Sequence, residues 1–205
     1  MKSAVKELVE NSLDAGATVV EVKFMNSGLN GFEVTDNGKG ISESDFEIIA
    51  KRGTTSKIRE FDDIYAVKSL GFRGEALSSL CNIANVTIIT KKPSQECGWV
   101  LNFDHLGTLI SKEKISKKNG TQVVIKDLFR DLAVRLVEFK KSYKAQYAKA
   151  VAMLQSYAMI ATHTKMSVLN NLGDAMPFNT VLRTKSRYAL TKTTAIEEWS
   201  DTSDW

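Results

Sequence analysis

The sequence predicts an α+β fold in which helices cover one mixed, mostly antiparallel sheet. Three observations support this: an amphipathic helix opens the chain, short alternating strands follow, and a long helix comes after further strands. This order differs from the strict strand–helix alternation of a parallel sheet. With 205 residues, 43% of them hydrophobic and 25% charged, the chain can bury a sizeable core.

The first elements are a helix and a hairpin. Apolar residues at helical spacing predict a helix over residues 3–15, which Ser3 can cap and Gly16 can end. Alternating valines predict a strand over 18–25, and a turn at Asn-Gly leads to a returning strand at 32–34.

Later elements follow from the same signals. Residues 42–45 resemble a capping box and predict a short helix through Ala50. Two more helices are predicted, over 75–83 and over 140–160. Strands are predicted at 86–90, 99–103, 121–125 and 166–169.

Composition and charge exclude several classes of protein. No apolar run reaches the ~18–20 residues of a membrane span, and the first residues lack the apolar core of a secretory signal. Two cysteines and two histidines give neither a disulfide framework nor zinc-ligand spacing, which favours a reducing intracellular compartment. Residues 1–50 hold nine acidic and four basic side chains, whereas residues 112–165 hold twelve basic and four acidic ones. The basic stretch fits either a polyanionic partner or a solvated helix face.

Two polar residues of the first predicted helix could carry chemistry. Glu7 and Asn11 lie four apart and share a face, with Asp14 on roughly the same face. A carboxylate can take a proton from an attacking water, and an amide oxygen can ligate a hard cation such as Mg²⁺. The alternative is an ordinary polar helix face, which is what polar residues on a helix usually form.

The segment Asp36-Asn37-Gly38-Lys39-Gly40-Ile41 directly follows a predicted strand. Two glycines spaced two apart let the backbone approach a ligand closely. A carboxylate at the end of a strand is a strong acceptor for an exocyclic amino group, such as that of adenine. An Asx turn is the alternative, because Asp-Asn-Gly is good turn material.

A glycine-rich loop at residues 70–74 runs into the next predicted helix. Backbone N–H groups at a helix start form an anion site, to which Thr55 and Lys57 add a hydroxyl and an ammonium. Neither a Walker A loop nor GxGxxG spacing is present, so a nucleotide site here needs another architecture. Thr121 offers a further hydroxyl, although a plain start of a strand accounts for it as well.

Together these segments resemble the ordered motifs of the GHKL ATPases. Residues 7–16 and 71–77 are similar in sequence to the MutL family of DNA mismatch-repair proteins. Residues 134–149 resemble the PMS branch of that family. The resemblance covers about residues 3–170. It implies a Bergerat fold, a two-layer α/β sandwich that holds ATP between its helices under a lid.

The resemblance also implies a role for each matching residue. Glu7 is expected to be the general base that activates water, and Asn11 the Mg²⁺ ligand. Asp36 is expected to accept the adenine amino group, with Thr121 near the adenine. The other expected ATP-contacting residues are Gly38, Gly40, Ile41, Thr55, Lys57, Gly71, Phe72, Arg73, Gly74, Glu75, Ala76 and Leu77.

The implied protein is a nuclear, Mg-dependent ATPase whose slow hydrolysis drives conformational switching and dimerisation in mismatch repair. Its implied partners are ATP, DNA, a MutL-homologue subunit in a heterodimer and a MutS-type mismatch-recognition complex, with no membrane. Four lysines of the last predicted helix are candidates for sequence-independent contacts with DNA phosphates. They are Lys140, Lys141, Lys144 and Lys149.

The family extends beyond the matched region. We expect residues 1–170 to form the ATPase domain without the segment that precedes the first motif in the family. Residues 171–205 are expected to be a poorly ordered tail, with the transducer and C-terminal endonuclease domains absent. A second hypothesis is therefore a fragment that binds ATP, DNA or a partner without turnover. A third is an ATPase similar to those of type II topoisomerases.

Overall fold

A computed structural model describes residues 1–53 and 75–171, together with the backbone of residues 178–182. The strands are β1 Val19–Met25, β2 Gly31–Asp36, β3 Asn85–Lys91, β4 Gly98–Phe103, β5 Leu109–Ile115, β6 Gly120–Lys126, β7 Lys165–Asn171 and β8 Phe178–Leu182. They form one sheet in the order β5-β4-β3-β6-β2-β1-β7-β8. Within it only β1 and β7 pair in parallel, which confirms the mixed, mostly antiparallel sheet.

Helices cover one face of this sheet. In the described residues they are α1 Lys2–Asp14, α2 Ala76–Cys81 and α3 Ala133–Ile160, and a 3-10 turn spans Glu43–Asp45. α1 packs against α2, α3 and β2, while α2 lies on β3 and α3 on β7. The described part of the chain is thus a two-layer α/β sandwich. None of its helices is long and apolar enough to cross a membrane.

The core lies between the helices and one row of side chains that runs across the sheet. The strand register aligns these residues as nearest neighbours, and all of them are buried because the side chains of a strand alternate between its two faces. The row consists of Val168, Val22, Val34, Val123, Ile88 and Leu101. On the helical side of the core, α1 contributes Val5, Leu8 and Val9, and α3 contributes Phe139 and Leu154.

Two cap predictions are wrong. α1 begins at Lys2, with Met1 rather than Ser3 at its N-cap and no side-chain hydrogen bond there. Ser42 precedes only a 3-10 turn, not the predicted short helix through Ala50, and its side chain makes no cap hydrogen bond. The Asp45 carboxylate accepts the Ser44 hydroxyl at 3.0 Å instead of closing a capping box. Gly16 does follow the end of α1, in a left-handed conformation with φ +73°.

One helix boundary and two strands also differ from the predictions. α3 begins at Ala133 rather than at residue 140. Strand β5 was not predicted, because an edge strand carrying Lys112, Glu113 and Lys114 shows no apolar alternation. The strand predicted at 166–169 is not the last one, because β8 pairs antiparallel with it inside the region expected to be a tail.

Candidate active site

The Asp36 carboxylate lies where three parts of the fold meet. Its Oδ1 accepts the backbone N–H of Gly38 at 2.8 Å and that of Thr121 at 3.2 Å. Its Oδ2 lies 2.9 Å from the Ser12 hydroxyl, which comes from α1. Burial raises the pKa of Asp36 above its usual value, although these hydrogen bonds and the charge of Lys117 oppose that shift. The last residue of β2 is thereby fixed against both α1 and β6.

Hydrogen bonds to three neighbouring segments fix the loop that follows Asp36. The Asn37 amide oxygen accepts the backbone N–H groups of Thr18 and Val19 at 2.9 and 2.8 Å. The Lys39 N–H donates to the carbonyl of Ala15 at 3.1 Å. On the far side, the N–H of Ile41 donates to the Thr90 hydroxyl at 3.0 Å, so the loop is held between α1, β1 and β3.

Glycines are required in and beside this loop because its backbone touches its neighbours. A Cβ at Gly38 would lie 2.8 Å from the Cβ of Ala15. A Cβ at Gly40, where φ is +68°, would overlap the carbonyl oxygen of Lys91. A Cβ at Gly120 would overlap the carbonyl oxygen of Asp36. These glycines therefore allow the strand ends and the loop around Asp36 to pack closely against one another. The close approach of this backbone to a ligand stays a prediction.

Gly40→Ala is expected to destabilise the chain by about 1–3 kcal/mol more than Gly16→Ala. Both glycines have a φ near +70°, so both variants carry the same backbone strain. Only Gly40 adds the overlap with Lys91, since no other described atom lies within 4 Å of a Cβ at Gly16. Urea unfolding of the two variants gives the difference, and equal losses would show that the loop can move away from β3.

Glu7 and Asn11 occupy successive turns of α1, as predicted. The Glu7 side chain is 43% exposed, and its Oε1 lies 3.7 Å from the Lys6 ammonium. Asn11 is half-buried, one position before Ser12, which contacts Asp36. The same helix therefore carries the proposed base and the proposed metal ligand and also helps to fix Asp36.

Thr90 and Lys117 were not identified from the sequence. The Thr90 hydroxyl is fully buried, 3.2 Å from the Thr121 hydroxyl, and accepts the N–H of Ile41. Lys117 is half-buried near Asp36 and Glu33, and desolvation lowers its pKa. Neither residue stands in a recognisable motif, because a threonine in a strand and a lysine in a basic stretch are both ordinary features.

The remaining predicted residues separate into three groups. Glu75, Ala76 and Leu77 lie at the start of α2, beside α1, and Glu75 lies 3.6 Å from Arg52 in an ion pair. Lys140, Lys141, Lys144 and Lys149 are all exposed on α3. Outside the described residues are Thr55, Lys57, Gly71, Phe72, Arg73 and Gly74.

Comparisons with known proteins identify the family and the fold. Residues 1–131 match the family of histidine kinase-, DNA gyrase B- and HSP90-like ATPases. The chain is 49% identical over 167 residues to the DNA mismatch repair protein pms1 of Schizosaccharomyces pombe, covering 81% of this chain and 21% of the relative. It is 46% identical over 173 residues to the human mismatch repair endonuclease PMS2, covering 84% and 20%. The chain belongs to this ATPase family, in its MutL mismatch-repair branch.

Solved structures, among them a MutL ATPase domain, share the fold. A crystal structure of the N-terminal domain of a DNA repair protein superposes with a TM-score of 0.78 at 39% identity, covering 91% of this chain and 54% of that one. The Aquifex aeolicus MutL ATPase domain complexed with ADP gives 0.67 at 24% identity, covering 91% and 64%, which shows a common fold. The predicted GHKL fold of this MutL-family chain is thus confirmed. The chain spans about a fifth of the length of the curated relatives it matches.

Proposed function

We propose that this MutL-family domain binds ATP with Mg²⁺ and hydrolyses it slowly, and that the cycle drives conformational switching and dimerisation in mismatch repair. The observation that carries the proposal is the fixed carboxylate of Asp36. It lies beside glycines that bring backbone close to it, and against the helix that carries Glu7 and Asn11.

Asp36 suits the amino group of adenine. A carboxylate has about four lone-pair positions, and the described donors from Gly38, Thr121 and Ser12 take three of them. The fourth, on Oδ2, can accept a hydrogen bond from a ligand amine. Because three donors fix the carboxylate, its direction is set before the nucleotide arrives, which lowers the ordering cost of binding.

Glu7 and Asn11 suit the phosphate end of the nucleotide. Mg²⁺ usually takes only one or two protein oxygens and completes its shell with water and substrate phosphates, so a single amide oxygen from Asn11 fits it. Among the described residues, no group of three or more His, Cys, Asp or Glu forms a dedicated metal site. Glu7, one turn earlier and partly exposed, can take a proton from a water that attacks the γ-phosphate.

The biological setting is proposed from the relatives. The curated proteins are named mismatch repair proteins, and human PMS2 is named an endonuclease. We therefore place this domain in the nucleus, with DNA, a MutL-homologue subunit and a MutS-type mismatch-recognition complex as partners.

The test is a titration with a non-hydrolysable ATP analogue and Mg²⁺, followed by the midpoint of thermal unfolding. A ligand that binds only the folded state at 100 times its Kd adds about 2.7 kcal/mol, which raises the midpoint by several degrees. Mg²⁺ alone and the analogue with EDTA are the controls. No shift in a folded chain would overturn nucleotide binding. A shift without phosphate release from ATP would leave binding and overturn hydrolysis.

The basic face of α3 is proposed to contact DNA phosphates. Lys140 and Lys144 lie one helical turn apart on one face and are both exposed. Lys140→Glu with Lys144→Glu is expected to weaken binding of a random-sequence duplex at least tenfold at low salt and to flatten its salt dependence. The control is the double variant Lys2→Glu with Lys126→Glu, which makes the same change in net charge at exposed positions outside α3. Equal losses in both double variants would mean that net charge, rather than this face, attracts DNA.

A further inference from the structure

A buried carboxylate lies one turn along α1 from the proposed base. The Glu10 side chain is only 6% exposed. A buried carboxylate is costly unless donors compensate for its lost hydration. Glu10 has two of them: the Lys6 ammonium at 2.7 Å from Oε2, and the Tyr157 hydroxyl on Oε1.

The bond from Tyr157 joins the two long helices of the domain. Tyr157 lies near the end of α3, 147 residues from Glu10 in the chain, and its ring packs against the core. Burial and the neighbouring carboxylate raise the pKa of Tyr157 to about 12. The hydroxyl therefore remains a donor at every pH at which the domain is expected to work.

Lys6 connects this buried group to the proposed base. Its ammonium lies 2.7 Å from Glu10 and 3.7 Å from Glu7, so one cation contacts both carboxylates and binds Glu10 more closely. If Glu10 lost its fixed position, Lys6 would be free to pair more closely with Glu7. That movement would draw the proposed base away from an attacking water.

We propose that Tyr157 and Glu10 are positioning residues, which hold Lys6 and thereby keep the Glu7 carboxylate in place for the proposed ATP hydrolysis. The inference rests on the proposed function, because it concerns the same base. Neither residue needs to touch the nucleotide. A displaced base slows the chemical step. The effect is therefore expected in kcat rather than in the affinity for the nucleotide.

Tyr157→Phe tests this inference by removing one hydroxyl and leaving the ring. We expect kcat for ATP to fall about tenfold, with the Kd for a fluorescent ATP analogue within about twofold of wild type. The matched control is Tyr143→Phe, since Tyr143 is a half-buried tyrosine of the same helix that packs on the core away from Glu10. Its kcat is expected to match that of the wild type.

A double-mutant cycle with Lys6→Met separates positioning from mere stability. If the effect of the hydroxyl passes through Lys6, Tyr157→Phe should change kcat by less than about twofold in the Lys6→Met background. Equal losses in both backgrounds, or a lower unfolding midpoint with normal kcat, would overturn the inference and leave the proposed function standing. If the wild-type chain shows no turnover that depends on Glu7, the proposed hydrolysis fails and this inference fails with it.

Discussion

Glu7→Ala is expected to lower ATP turnover by at least about 100-fold, the usual contribution of a positioned general base. The same variant should keep the rise in unfolding midpoint produced by the ATP analogue with Mg²⁺. Since the Glu7 side chain is 43% exposed and its described ion pair is the 3.7 Å contact with Lys6, its removal leaves the core intact. Phosphate release at saturating ATP measures the first effect, and the thermal titration measures the second.

Glu21→Ala is the control for this variant. Glu21 is a half-buried glutamate of β1, on the face of the sheet opposite the described helices, and its loss should change neither readout. Wild-type turnover in Glu7→Ala would show that another group activates the water. Loss of the nucleotide-induced midpoint rise in Glu7→Ala would show that Glu7 holds the nucleotide rather than acting on water.

The parts of the fold that could be predicted are those whose burial pattern is strong. In β1, alternate residues point to the core, and the strand was placed within one residue of its observed start. In β5, the side chains alternate between two solvated sides at the edge of the sheet, so the sequence of this strand has no apolar periodicity. β8 adds to the other edge through backbone pairing with β7, which a sequence pattern does not reveal.

The site shows the same division between local and non-local signals. Asp36, Gly38 and Gly40 were identified because the turn chemistry and the motif lie within a few consecutive residues. Ser12, Thr90 and Tyr157 were not, because each acts through a partner far away in the chain, up to 147 residues in the case of Glu10 and Tyr157. Residues of this kind are found only when the fold brings the partners together.

Asp36→Asn is expected to weaken binding of the ATP analogue by about 10- to 100-fold, the cost of losing a hydrogen bond to a charged acceptor. The amide oxygen can still accept the N–H groups of Gly38 and Thr121, and the amide nitrogen can donate to Ser12, so the loop should stay folded. What is lost is the acceptor on Oδ2, where an NH₂ group would face the amino group of adenine. Isothermal titration measures the affinity, and Asp131→Asn, at an exposed ion pair with Arg130, is the control.

The raised pKa of Asp36 gives this prediction a pH signature. Below that pKa the wild-type carboxyl holds a proton and loses its acceptor on Oδ2, so affinity should fall as the pH drops through this range above the ordinary value of 3.8. The free energy of unfolding of the ligand-free chain should change in the opposite direction with pH. The folded chain binds the proton more tightly than the unfolded chain, so this group destabilises the ligand-free fold as the pH rises through the same window. Asp36→Asn should remove both trends, whereas the titration of the nucleotide's own phosphates persists in both proteins. An unchanged slope of affinity against pH in the variant would mean that Asp36 does not contact the base.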